Sequence, residues 1–362
     1  MKVKDVTNYL ETIAPLTLQE GYDNSGLLVG SYYSNLKGIL VSLDITLEII
    51  DEAIEKGCNL IVAHHPLIFS GIKNITDDNS ISKCIIKAIK NNINLYAIHT
   101  NLDNVIHGVN GRIADLIGLN NREVLLPKEN LFKVAVFVPL SYQDSVLNAM
   151  FEAGAGHIGN YSNCSFSMEG VGSFKPLDGS NPFKGKNKVL EISKENKIEV
   201  IVPSYAVSKV VDAMKFAHPY EEVAFDIFQL KNSSNEGSGL VGYLDHSIDE
   251  IKFLKKIKSD FDVKALRHTR LLNKPIKKVA VCGGSGSFLL SNAIKKKADI
   301  FITSDYKYHQ FFEAEGEILI ADIGHYESEQ YTIGLICDFL MKKFTNFAVR
   351  STKIDTNPIN YL

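Results

Sequence analysis

Residues 38–66 read GILVSLDITLEIIDEAIEKGCNLIVAHHP. The first run, Gly38 to Leu43, is β-rich. Leu47, Ile50, Ala53 and Ile54 then recur at helical spacing, and Gly57 stands where helices commonly stop. A second apolar run, Leu60 to Ala63, ends on His64-His65-Pro66. Strand, helix and strand in this order form the unit of a buried sheet with helices packed on it. Working outward, Ile81–Ile89 continues as helix and Ile93–Ile98 as strand. Upstream, Val6, Tyr9, Leu10 and Ile13 keep helical spacing until Pro15 ends them. The last third repeats the style. Lys278–Cys282 reads as a strand, the GGSGS of 283–287 as a glycine-rich turn, and Phe288–Lys297 as a helix. Ile300–Thr303 and Ile318–Ala321 read as strands, and Tyr331–Lys343 as a closing helix.

The middle differs. Phe132–Val138 and Glu199–Val202 read as strands, Asp144–Ala153 and Val207–Phe216 as helices. The stretches 172–188 and 231–239 are loose and polar, and KNSSNEGSG (231–239) reads as a linker. At 362 residues the chain exceeds the ~150 expected of one domain. The expected fold class is α/β. A discontinuous α/β domain is built from both chain ends (1–127 and 233–362), and an α+β module is inserted at 128–232.

Composition narrows the function classes. Apolar residues at 45% and charged residues at 22% are globular values and exclude a disordered chain. A net charge of −3 argues against a broad nucleic-acid surface. No apolar run approaches the ~18 residues of a membrane span. The N-terminus lacks a signal-peptide core, so a cytoplasmic location is expected. Five scattered cysteines without a CxxC pair exclude a disulfide framework or a thiolate zinc site as the expectation.

The chemistry collects after apolar runs. His64 and His65 sit at a strand end, where two adjacent imidazoles suit two neighbouring ions; taken alone, the pair reads first as an ordinary polar loop, since ligation needs partners. His99-Thr100-Asn101-Leu102-Asp103 offers Asp103 as a hard oxygen ligand, with His99 or Asn101 as support; its plain reading is a capped turn. His325 and Glu329, four apart, share a helix face and can bind one ion; Gly324 lets the chain turn, and Glu327 should point to solvent or the helix start. Asp305 and His309 are candidates for proton transfer and Lys307 for holding an anion, against a capped helix start at Ser304 or Asp305. Open α/β sheets place ligands at the carboxyl ends of their strands. Three imidazoles and two carboxylates make a sensible shell for two divalent ions, with zinc, iron, manganese and cobalt all acceptable.

The order Tyr22-Asp23-Asn24-Ser25-Gly26-Leu27, Ala63-His64-His65-Pro66, His99-Thr100-Asn101-Leu102-Asp103, Thr303-Ser304-Asp305 and Gly324-His325-Tyr326-Glu327-Ser328-Glu329 resembles the NGG-interacting-factor-three-like family, also labelled GTP cyclohydrolase 1 type 2 homologs. The resemblance covers nearly the whole chain. It implies a dinuclear metal centre with ligands His64, His65, Asp103, His325 and Glu329, the last bridging, and a ring-shaped homohexamer. It also implies that the insert is similar to the PII-like and copper-tolerance-like ferredoxin-like modules, carried by Gly154-Ala155-Gly156-His157-Ile158-Gly159 and His218-Pro219-Tyr220-Glu221-Glu222. Tyr22, Ser304 and Tyr308 stand where the family often has Trp, Gly and His.

Two divalent ions against two carboxylates and one hydroxide leave about one positive charge, which favours an anionic substrate such as a nucleotide. The expected activity is metal-dependent hydrolysis of a nucleotide or phosphoester by a hydroxide generated on the ions. The alternative is a non-enzymatic metal-binding regulatory or scaffold protein. His218 with Glu222 is a weaker metal pair, and an anion at the 283–287 glycines a weaker site.

Overall fold

A computed structural model describes residues 1–128, 131–159, 161–232 and 235–362. The chain divides into two compact units, one of Met1–Lys128 with Asn235–Leu362, the other Glu129–Ser234.

The larger unit contains two sheets. The first has five strands in the order Gly26–Val29, Asn94–Ala97, Leu60–Ala63, Ile39–Ser42 and Val349–Ser351. All neighbours run parallel except the antiparallel Gly26–Val29. Val349–Ser351, from the far end of the chain, completes this sheet. The second has six strands in the order Arg267–His268, Leu319–Asp322, Ile300–Ser304, Ile276–Ser285, Gly237–Ile248 and Asn120–Pro127. Its centre, Ile276–Ser285, Ile300–Ser304 and Leu319–Asp322, is parallel.

The central strands are buried along their whole length, which is why they read as continuous apolar runs. One core joins the facing sides of both sheets. Val41, Val62, Val281 and Ile302 meet there with helices Val3–Ile13, Val109–Ile117, Glu250–Asp260 and Thr332–Lys343. The outer side of the first sheet is covered by helices Leu47–Glu55 and Ser80–Lys90. The outer side of the second is covered by Leu290–Lys295 and the 3₁₀ segment Tyr308–Ala314. Helix starts are fixed locally: Thr46, Asn79 and Asp249 accept from the amides of Ile49, Ser82 and Lys252, about 1 kcal/mol each.

The smaller unit runs strand, helix, strand, strand, helix, strand. Ser165–Phe174, Glu191–Pro203, Leu131–Pro139 and Phe225–Gln229 lie side by side in that order, all antiparallel. Helices Gln143–Glu152 and Val207–Ala217 bury Val146, Met150, Val210 and Met214 against Val134, Val136, Ile198 and Val200 of the sheet.

Two expectations need correction. The glycines of 283–287 are not a simple turn, because the strand runs on to Ser285. Side chains take over from the sheet there: Asn110 Oδ1 accepts the Gly283 amide at 2.9 Å and Ser328 Oγ the Gly284 amide at 3.0 Å. Both amides are therefore committed, and the helix that follows has only six residues, so nothing supports the anion site considered there. In the stretch 231–239, Gly237–Gly239 begins a strand that pairs with Asn120–Pro127. Local composition hides that distant pairing; residues 233 and 234 lie outside the described residues.

Candidate metal centre

Five of the parallel strands end at Ser42, Ala63, Ala97, Ser304 and Asp322. Just beyond these ends come Asp44, His64 and His65, His99, Asp305 and His325. Gly324, at φ +93°, turns the chain from the strand into the short helix His325–Glu329. Asp322 accepts from the amides of Tyr306 and Gly324 at 3.0 and 3.1 Å and pairs with Arg267, which fixes that turn.

Four imidazoles converge, each held through Nδ1. His64 Nδ1 donates to the Ile98 carbonyl at 2.9 Å. His65 Nδ1 bonds Asp44 at 2.7 Å, His99 Nδ1 bonds Asp23 at 2.7 Å, and His325 Nδ1 bonds Asp305 at 2.6 Å. An acceptor on Nδ1 orients the ring and leaves Nε2 for a metal, the usual support for a ligating histidine. His65 and His325 bring their Nε2 atoms within 3.4 Å of each other. Two ligands about 2.1 Å from a tetrahedral ion lie about 3.4 Å apart.

Glu329, 3% exposed, lies between the rings. Its Oε2 is 2.9 Å from His65 Nε2 and 3.0 Å from His325 Nε2. Its Oε1 faces His64 Nε2 at 3.8 Å, and Asp103 Oδ1 is 3.7 Å from that nitrogen. His64 Nε2 and Asp103 Oδ1 are buried without a hydrogen-bond partner. Buried polar atoms are normally satisfied, and a cation between these atoms would satisfy both. The cluster resolves into three groups close enough to hold an ion: His65, His325 and Glu329; His64, Asp103 and Glu329; and His64, His65 and His99.

Without metal, protons stand in for the positive charge. Burial opposes charging His65, but hydrogen bonds to Asp44 and Glu329 outweigh it and push its pKa up to about 9. Burial also opposes charging His325, yet the Glu329 charge and the Asp305 bond raise it to about 11. Burial works against ionising Glu329 too, but the His325 charge and the surrounding imidazoles keep it well below the usual carboxylate range. Burial, with the Glu329 charge beside it, raises Asp103 well above that range, and burial lowers His64. Divalent ions can displace such protons.

All five residues read as ligands thus lie in one cluster. The proton-transfer candidates separate. Asp305 touches the cluster by holding His325, with its backbone at φ +60°. His309 and Lys307 are exposed, and His309 packs on Tyr308 and Phe312. Neither lines the cleft over the cluster, a cavity of about 540 Å³ bordered by Tyr22, Phe69, Phe288, His65, His325 and Glu329. Tyr306 is buried, and Tyr308 lines a different hollow with Arg267 and Phe312. Glu327 stands in the first turn of the helix His325–Glu329, the second of its two readings, and is not solvated: it is 4% exposed and accepts from Asn357 Nδ2 at 3.4 Å. Asn101 secures the turn, donating to the Ala14 carbonyl and accepting the His99 amide. His218 donates to the Phe137 carbonyl at 3.0 Å.

Three contributors went unassigned in the sequence. Asp44 orients His65 and is itself held by Thr356 Oγ1 at 2.6 Å. Asp23 accepts from His99, Ser25 Oγ and the Thr100 amide and hydroxyl. Gly284 leaves the space that Glu329 fills, since a Cβ there would lie 2.4 Å from Oε1.

Stacked α and β layers that gather histidines and carboxylates at their strand ends define an α/β protein with a buried cluster that could hold metal ions. The model of the family described as Duf34/NIF3 (NGG1p interacting factor 3) matches residues 1–358. A Halalkalibacterium halodurans protein named GTP cyclohydrolase 1 type 2 homolog is 41% identical over 364 residues, 99% of this chain and 98% of that one. A Bacillus subtilis protein of the same name is 39% identical over 370 residues, again 99% and 98%. The solved structure of a Bacillus cereus protein related to NIF3 superposes with a TM-score of 0.84 at 38% identity, covering 100% of this chain and 99% of that one. The chain belongs to the Duf34/NIF3 family. No helix among the described residues is long and apolar enough to cross a membrane.

Proposed function

We propose that this protein holds two divalent ions per chain and hydrolyses a nucleotide or phosphoester. The observation that carries the reading is the placement of Glu329: one oxygen faces His65 and His325, the other faces His64 across from Asp103. That position supports a bridging role for the Glu329 carboxylate, in which His64 and Asp103 would hold one ion and His65 and His325 the other. When bound, two ions supply Lewis acidity and a water acidic enough to attack near neutral pH. The chain's residues do the rest. Asp44 and Asp305 keep the His65 and His325 rings aimed inward. Tyr22, Phe69 and Phe288, at 70%, 50% and 60% exposure, offer ring faces at the cleft for a base. No Lys or Arg is among the described residues lining it, so attraction of an anion falls to the metal charge.

The name carried by the relatives supports a purine nucleotide as the first substrate to test. The strand–helix–strand–strand–helix–strand order of the smaller unit supports its reading as a PII-like, ferredoxin-like insert. A homohexamer belongs to the same proposal, and light scattering tests it. The test of function is a screen of nucleotides and phosphoesters against metal-stripped and metal-reloaded protein. Turnover that returns with metal supports hydrolysis. Full metal content without turnover on any of them would leave the metal-binding regulatory or scaffold reading.

A further inference from the structure

The smaller unit has a cavity of its own, about 460 Å³, in the size range of small-molecule sites. Phe137, Phe174, Phe183, Tyr220 and Glu195 line it, and so do Lys175 and Lys184, against which stand two further carboxylates, Glu221 and Glu222. Phe174 and Phe183 each lie 5.9 Å from the Tyr220 ring, so the three rings form one wall. Glu195 is 8% exposed. Its Oε1 accepts from Tyr220 Oη at 2.7 Å, and no cation lies within ion-pair distance of it among the described residues. Lys184 turns instead to Glu191 and Ser193, at 3.4 Å each. His218 beside Tyr220 is committed on both nitrogens: Nδ1 accepts the Tyr220 amide at 3.1 Å, and Nε2 donates to the Phe137 carbonyl. It carries no charge in that arrangement. Gly172 leaves room for the carboxylate, since a Cβ there would lie 2.6 Å from Glu195 Oε2.

A buried carboxylate without a cation is costly. Aromatic faces attract positive charge, and a ring cage closed by a carboxylate is the chemistry that recognises organic ammonium groups. We propose that this cavity binds a small organic cation, an alkylammonium or quaternary ammonium group, with its charge on Glu195 and its body against Phe174, Phe183 and Tyr220. The site does not depend on the metal cluster, none of whose residues it shares.

The test uses the full-length protein and a matched pair of probes, choline and its neutral carbon isostere 3,3-dimethyl-1-butanol, with n-butylammonium as a second cation. Calorimetry should show saturable binding of the cations and at least about tenfold weaker binding of the isostere. Chemical-shift changes should map to Phe174, Phe183 and Tyr220. Glu195→Gln should weaken the cations by about tenfold or more, with Phe183→Ala as a second variant that leaves the carboxylate in place. Equal binding of choline and its isostere would mean an apolar hollow only and would overturn the proposal. So would the absence of binding by either cation at millimolar concentration. The probe comparison on unmodified protein decides even if Glu195→Gln fails to fold.

Discussion

Substituting Gly284 by alanine should strip metal from a protein that otherwise folds. Gly284 has φ +63°, and an added Cβ would lie 2.4 Å from Glu329 Oε1 and 3.4 Å from His325 Cε1. For ordinary contact at 3.4 Å the carboxylate oxygen must retreat from 2.4 Å, by about 1 Å. Metal–ligand distances tolerate only about ±0.2 Å, so the metal bond proposed for Oε1 would not survive the shift. That oxygen is the one facing His64. The ion on the His64–Asp103 side should therefore weaken by about 100-fold or more, the upper end of what supporting groups contribute. The left-handed backbone adds about 1–2 kcal/mol of strain unrelated to metal. Gly316→Ala isolates that strain, because Gly316 has φ +75° and nothing within 4 Å of its added Cβ. The assay is metal per chain by plasma mass spectrometry after dialysis against a weak chelator, alongside the thermal midpoint. Gly316→Ala should show the backbone strain alone, Gly284→Ala should lose more thermal stability than that, and only Gly284→Ala should lose metal. Wild-type metal affinity in Gly284→Ala, or equal metal loss in both, would refute the reasoning.

Three further outcomes are expected. Asp305→Asn keeps the shape beside His325 but removes the charge on its Nδ1 partner; affinity for the ion on that side should fall about 10–100-fold, and competition with a coloured chelator reads it. In the metal-free protein, His65 and His325 titrate at about 9 and about 11, above the ordinary ~6.5. Their contribution to metal-free stability is therefore complete below about pH 6.5 and lost as pH rises through about 9 to 11. Metal loading near neutral pH should expel about two protons or more, measured by calorimetry in buffers of different ionisation heat; loading without proton release would contradict the assignment. Pro127 pairs with Gly237, and the Lys128 amide donates to Glu236 at 2.8 Å. A two-residue Asn-Gly hairpin in place of residues 129–235 should therefore close the larger unit with its metal content intact, and a soluble deletion without metal would count against this.

The convergence of His64, His65, Asp103, His325 and Glu329 was legible because each stands at, or within eight residues after, the end of an apolar run. A buried parallel strand writes itself as a continuous apolar stretch, and its carboxyl end is where a ligand sits. Groups that act across space were not legible. Asp44 and Asp23 reach their histidines across 21 and 76 residues of sequence, and neither stands in a pattern that names a partner. For Glu327 the helix start was legible but the burial was not, because its cover, Asn357, comes from a chain segment without regular structure 30 residues away. GGSGS read as a turn because glycine composition is a local signal. The strand continues there with the Gly283 and Gly284 amides donating to Asn110 and Ser328, and the missing side chain makes room for Glu329. His309 shared a motif with Asp305, but the 3₁₀ segment that starts at Tyr308 turns it to the surface.

The most direct test of the bridging assignment is metal per chain in wild-type protein and in Glu329→Gln, both purified without added metal and then loaded under the same conditions. Gln keeps the volume of a 3% exposed side chain and removes the charge shared between His64 on one side and His65 with His325 on the other. About two ions should bind the wild type and none the variant, with the fold retained by circular dichroism. A variant that keeps the wild-type ratio, or loses one ion and holds the other at full affinity, would contradict the bridging assignment.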